Sequence, residues 1–180
     1  MLLRILLITG LLALSGDLLA KDPGGKTVPF SGVTSGYLLG FDDTRVGECS
    51  PPAGKCAWAV TSFAGSGPLT HLGESELYAE HCSYGYPIAE PPFCEADGTY
   101  GEGTIEIVAD NGDVLLGIYG NGISLPMPPF VGFVDQFEFV DGGTGRFTFA
   151  SGGGEETGSV DFRDFSFTVR MTGVIAYKKK

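Results

Sequence analysis

The chain has 180 residues, with 11 Lys and Arg against 22 Asp and Glu, for a net charge of −11 at pH 7. The only basic cluster is Lys178-Lys179-Lys180, so the cation patch needed to neutralise phosphates is missing and no nucleic-acid partner is expected. The acidity itself reads as a solubility device.

Residues 1–20 read as an export signal, with Arg4 in a short n-region, an apolar run over 5–14, and cleavage after Ala20 or, in competition, after Ser15. That run is far shorter than the ~20 residues of a membrane-spanning helix, and no Cys stands at the cleavage region to take a lipid. The expectation is a secreted or periplasmic protein that is not embedded in a membrane. Removing the signal takes away one charge of each sign, Arg4 and Asp17, so the mature chain stays at −11. Residues 21–26 form a linker rich in Gly and Pro, and 27–180 form a single domain large enough to bury a core.

Four cysteines suit an oxidising compartment. Sequence-local pairing is expected, Cys49–Cys56 and Cys82–Cys94, because each pair closes a Pro- and Gly-containing segment that lacks other order. The rival is a zinc site with His71 or His81, but neither Cys pair has CxxC-like spacing and no metal is expected.

Strands are predicted at 27–30, 35–39, 56–63, 68–80, 103–109, 114–119, 131–140, 145–150 and 162–177. The clearest alternation is in the last, where Phe165, Phe167, Val169 and Met171 share one face against Ser166, Thr168 and Arg170. Asn111-Gly112, between two apolar arms, predicts a tight type I′ hairpin. No window shows a helical period beyond the signal. With glycines beside and inside the strands, the fold class is all-β: one closed antiparallel barrel of about eight strands, a sandwich being the alternative.

Three phrases in this order, Thr70-His71-Leu72-Gly73, Gly112-Asp113, and Gly142-Gly143-Thr144-Gly145-Arg146-Phe147, resemble those of exported bacterial proteins of the allene oxide cyclase and dirigent-like barrel group. The resemblance spans roughly residues 55–177 and implies an eight-stranded antiparallel barrel with an apolar interior. In the plant cyclases that interior holds a fatty-acid-derived epoxide; in dirigent proteins it guides the coupling of phenoxy radicals. The group also implies a homo-oligomer, since dirigent-type relatives often trimerise. The matched phrases are structural, so no catalytic residue is carried over from them. The segment 82–99 and the stretch 123–130 depart from the group's common pattern.

Chemistry-bearing patterns are few. No G-x-S-x-G elbow is present, and the Gly-rich phrases open no helix and carry acids beside them, which argues against a phosphate cradle. His71, with Glu74 or Glu76 and His81, forms a His–Glu set suited to a general base or a metal, against a structural role for His71 at a barrel corner. A loop calcium at Asp141, Glu155 or Glu156 is the other metal alternative. If the barrel catalyses through one inward polar residue, His71, Glu106 and Glu138 are the candidates. The aromatics, with 13 Phe and 7 Tyr, suggest a small apolar ligand, lined by Trp58, Phe137, Phe139, Phe165 and Phe167, although the same rings can simply fill the barrel. The leading expectation is a non-catalytic binding module for such a ligand or a surface partner, with no cofactor. The alternative is a barrel-cavity isomerase or cyclase, which demands a real cavity with a polar group aimed inward.

Overall fold

The computed structural model describes residues 25–88 and 93–178. Eight antiparallel strands form a closed barrel in which each pairs with its sequence neighbours and the first pairs with the last. They are β1 Val28–Asp42, β2 Cys56–Leu69, β3 Gly73–Pro87, β4 Cys94–Val108, β5 Val114–Met127, β6 Phe130–Val140, β7 Ser151–Asp161 and β8 Ser166–Ala176. Helix among the described residues is confined to two 3₁₀ turns, Asp43–Glu48 and Gly145–Phe147. The expected barrel is therefore present. The signal at 1–20 and positions 21–24 of the linker lie outside the described residues.

Period-2 patterning sets the faces. In β4 the buried Gly103, Ile105 and Ile107 alternate with the exposed Glu102, Thr104 and Glu106, and in β8 Phe167, Val169 and Met171 alternate with Thr168, Arg170 and Thr172. In these two stretches apolar side chains point in and polar ones out, the reverse of the lipid-facing band that a membrane barrel presents. No helix among the described residues is long and apolar enough to cross a membrane.

The barrel has two unlike ends. The base carries the β2–β3, β4–β5 and β6–β7 connections, and there Phe30, Leu72, Ile107, Leu115, Phe147 and Ile175 are almost wholly buried. Phe30 packs edge-on against Phe139 with ring centroids 4.9 Å apart, so aromatic area and favourable ring geometry fill this end. The mouth lies at the opposite end, where β1, β3, β5 and β7 finish.

Three local expectations are corrected. The stretch 68–80 is not one strand: Thr70-His71-Leu72 is the β2–β3 turn, with His71 at φ 69° and Gly73 at φ 77°. The region 145–150 is not a strand either. Gly142 and Gly145 take positive φ, the Thr144 N–H donates to the Val114 carbonyl while the Thr144 hydroxyl accepts from the Val114 N–H at 2.8 Å, and Phe147 drops into the base as a plug. At Asn111-Gly112 only Gly112 takes positive φ, and both Ala109 backbone groups are used, N–H to Asp113 and C=O from Gly112. That is a three-residue hairpin loop closed by a left-handed glycine rather than a type I′ turn.

The cysteine pairing is also corrected, to Cys49–Cys82 and Cys56–Cys94. Sequence proximity is overridden by the meander, which brings the start of β2 and the start of β4 to the same end of the barrel. Cys82 faces outward with Val60 and Tyr84, and Cys49 packs onto this small cluster, so the bond pins the 43–55 connection to the wall. All four cysteines are thus engaged. Two disulfides are consistent with an extracellular or periplasmic protein.

Candidate functional site

Between base and mouth the packing gives way to a chamber. Its inner part holds about 60 Å³ and is lined by Phe63, Leu77, Ile105, Phe133, Phe167 and Val169, together with six polar side chains. It adjoins an outer part of about 180 Å³, bordered by Phe41, Trp58 and Phe162, through the shared residues Phe63, His81, Tyr100 and Ser124.

One is Ser124, and the five titratable groups are His81 of β3, Tyr100 of β4, Tyr119 of β5, Asp135 of β6 and Glu156 of β7. Each stands at an inward position of its strand, so consecutive staves of the barrel contribute one group each. Tyr100 and Tyr119 fit because the residue opposite each on the neighbouring strand is glycine: Tyr100 pairs with Gly122 and Tyr119 with Gly103. A Cβ at either glycine would fall inside the facing tyrosine ring. Between these pairs Glu102 (φ 52°) and Asn121 (φ 56°) bulge outward. Glu102 is held there by the Tyr84 hydroxyl at 2.6 Å and the Ser50 N–H at 2.7 Å.

A substitution tests this packing. Gly122→Ala is expected to push the Tyr100 ring off its seat and lower stability by about 1–3 kcal/mol, the usual cost of overpacking. Thermal unfolding checks it, and an unchanged melting temperature would refute the tight fit.

Hydrogen bonds link the cluster in two pairs. The Tyr100 hydroxyl donates to Asp135 Oδ2 at 2.5 Å, and His81 Nδ1 shares a 2.8 Å bond with the Tyr119 hydroxyl. The His81 ring stacks on Tyr100, centroids 4.3 Å apart and planes 20° apart, which joins the pairs. Asp135 and Glu156 are cross-strand partners of the β6–β7 ladder, so two carboxyl groups stand side by side on the inner wall. Asp135 Oδ1 and Glu156 Oε1 are both buried without a protein donor.

Burial decides the charge states. It pushes His81 down to about 3, so the imidazole is neutral at physiological pH. It also drives both tyrosines well above their ordinary value, reinforced by the Asp135 charge at Tyr100 and the Glu156 charge at Tyr119, so both remain phenols. Asp135 is raised to about 6 by burial, against the opposing hydrogen bond from Tyr100. Glu156 is raised well above the carboxylate range by burial and by the neighbouring Asp135 charge, with no hydrogen bond to offset them. An apolar chamber with a few convergent polar groups of shifted acidity is the physical profile of a ligand or reaction site.

The candidates from sequence distribute differently. His71 sits in the β2–β3 turn, exposed, its Nε2 2.9 Å from the Pro29 carbonyl oxygen. Glu106 and Glu138 face outward, so none of these three is the inward polar residue a cavity reaction needs. His81, by contrast, continues the inward series Ser75, Leu77, Ala79. Glu74 and Glu76 point outward, and Glu155 and Glu156 stand on strand β7, not in a calcium loop. Among the described residues no three His, Cys, Asp or Glu side chains lie close enough to hold a metal ion.

Of the proposed aromatic lining, Phe167 faces the inner chamber and Trp58 borders the outer one, its Nε1 donating to the Tyr84 carbonyl at 3.1 Å. Phe137 and Phe139 belong to the packed core, and Phe165 lies exposed in the β7–β8 turn at φ 60°. Tyr100, Tyr119 and Asp135 are not singled out by the sequence, and Glu156 enters there only as a loop calcium ligand. The readable signal was parity: Asp135 shares the register of Phe133, Phe137 and Phe139, a carboxylate on an otherwise aromatic face.

Comparison of the chain with protein-family models, with curated proteins and with solved structures finds no match to any of them.

Proposed function

We propose that this is an exported barrel of the allene oxide cyclase and dirigent-like type whose mouth chamber binds a small, predominantly apolar molecule with one uncharged polar end. The observation that carries the reading is the set of hydrogen-bonding groups gathered at one level of an otherwise apolar chamber. Phe63, Phe133 and Phe167 suit the hydrocarbon part, while Tyr100, Asp135 and Glu156 suit a carbonyl or hydroxyl. The export reading is supported by the apolar run over 5–14 and by the two disulfides, and the group by its three phrases.

The carboxyl pair sets selectivity. A ligand carboxylate would bring a third acid to two that already disfavour each other's ionisation, in a site poor in solvent. Trp58 is the only tryptophan and borders the outer chamber, so its fluorescence reports occupancy. At pH 7, 2-nonanone and 1-nonanol are expected to give saturable changes in that emission, with nonanoate weaker by about tenfold or more. Equal binding of nonanoate, or no response to any of the three, would overturn the reading.

The observation favouring catalysis over passive binding is the pairing of Asp135 with Glu156, since a binding pocket alone has no use for two adjacent buried acids.

A further inference from the structure

Resting on that assignment of the chamber, we propose that Asp135 and Glu156 are catalytic residues for a 1,3-proton shift on a small apolar β,γ-unsaturated ketone. Asp135 is the base, and Glu156 is the hydrogen-bond donor to the carbonyl oxygen.

The geometry brings the two carboxyl groups together as direct cross-strand partners, both buried and both lining the inner chamber. Their surroundings differ in one respect that assigns the roles. Tyr100 donates to Asp135 Oδ2 and so favours the ionised form there, whereas Glu156 receives no such bond. Adjacent like charges in a buried site resist double ionisation, so the pair holds one proton near neutral pH and Glu156 keeps it. Two acids pushed apart by environment are the pattern by which one site supplies both a base and an acid.

The other titratable groups facing the chamber are His81 from β3, Tyr100 from β4 and Tyr119 from β5, all neutral at physiological pH. β2 and β8 present Phe63, Phe167 and Val169 to the inner chamber, so no cation competes for the Asp135 charge.

The step balances within the site. Asp135 Oδ1, the oxygen with no protein donor, takes a proton from the carbon next to the carbonyl. The electron pair of that C–H bond moves into a dienolate whose oxygen is held by the Glu156 O–H. The Asp135 carboxyl then returns the same proton at the γ carbon, and the double bond moves into conjugation. No atom is gained or lost, nothing is oxidised or reduced, and no co-reactant is needed. The aromatic lining limits water at the dienolate and so favours return of the proton to carbon.

The test uses the mature protein with 4-nonen-2-one, whose product, 3-nonen-2-one, is followed by its conjugated ultraviolet absorbance. Turnover above buffer is expected, and Asp135→Asn and Glu156→Gln should each lower it by about 100-fold or more while thermal unfolding shows both variants folded. Tyr100 acts through Asp135 as a positioning residue. Tyr100→Phe should therefore move the acid limb of the pH–rate profile to higher pH, which a loss of packing alone would not do. Ketone binding without turnover, or turnover unchanged in Asp135→Asn, overturns the catalytic assignment and leaves the binding reading standing. No Trp58 response to ketone in the unmodified protein overturns both.

Discussion

Asp135→Asn is expected to raise the melting temperature at pH 8 and to change it little at pH 4. In the folded protein the Asp135 carboxyl keeps its proton up to about 6, whereas the unfolded chain releases it near the ordinary 3.8. Folding therefore takes up a proton across that interval. The associated stability is fully present below about pH 4 and is lost as pH rises through about 6. The interval corresponds to about 3 kcal/mol at alkaline pH, an upper figure because Asp135 shares its titration with Glu156.

Asparagine removes the titration, can still accept from the Tyr100 hydroxyl through its carbonyl oxygen, and offers an N–H to Glu156. A gain of about 5–10 °C at pH 8 follows for a domain of this size. Carboxylates held low by a partner, such as Asp161 beside Arg163, impose the opposite slope at lower pH and do so equally in both proteins. Thermal unfolding monitored from pH 4 to 9 makes the comparison. Parallel curves for the two proteins would show that Asp135 is not a strained buried acid. A stabilising change that abolishes turnover would mark the pair as a functional expense in stability.

Removing the Cys56–Cys94 bond, through Cys56→Ala with Cys94→Ala, is expected to cost about 4 kcal/mol, and removing Cys49–Cys82 a similar amount. The bonds span 33 and 38 residues, and chain-entropy arguments for closed loops of that length give about 4 kcal/mol each. Loss of one bond should lower the melting temperature by about 8–15 °C. The mouth should suffer first, because the 43–55 connection is otherwise tied down mainly by polar contacts. These are Arg45 to Glu80 at 3.0 Å, Ser50 N–H to Glu102, and Lys55 to Asp97 at 2.9 Å. Peptide mapping of the unreduced protein should link Cys49 to Cys82 and Cys56 to Cys94. A fragment joining Cys49 to Cys56 would overturn the pairing and the energetic argument with it.

The fold was legible wherever side chains alternate. Ile105 and Ile107 against Thr104 and Glu106, or Phe167 and Val169 against Thr168 and Arg170, state face and register without help from distant contacts. It was illegible wherever glycine replaces the apolar half of the pattern. The inward side of β7 reads Gly154, Glu156, Gly158, Val160, and a Cβ at Gly158 would strike the Phe133 ring of β6. The strand's apolar partner is supplied by its neighbour, which no local window contains. The same holds for Gly103 and Gly122, whose space is taken by Tyr119 and Tyr100.

The site escaped notice for a related reason. Its members are single residues on five strands, spread from His81 to Glu156, and only closure of the barrel makes them neighbours. The cysteine pairing failed on the same ground, since distance along the chain is a poor guide once strands fold back on each other.

Closure also governs how the barrel must be assembled. The seam between β1 and β8 joins Val28 to Ile175 and Tyr37 to Ser166, the most distant pairings along the chain. Until β8 arrives, β1 and β7 each present an unpaired backbone edge, the kind of surface that recruits other chains into aggregates. Ring completion by so remote a contact belongs to the slow, millisecond-to-second class of folding events. Both disulfides, however, lie within residues 49–94 and need only the first four strands. Oxidation can therefore secure half of the ring before its last stave is in place, which shortens the search that the final strand must make.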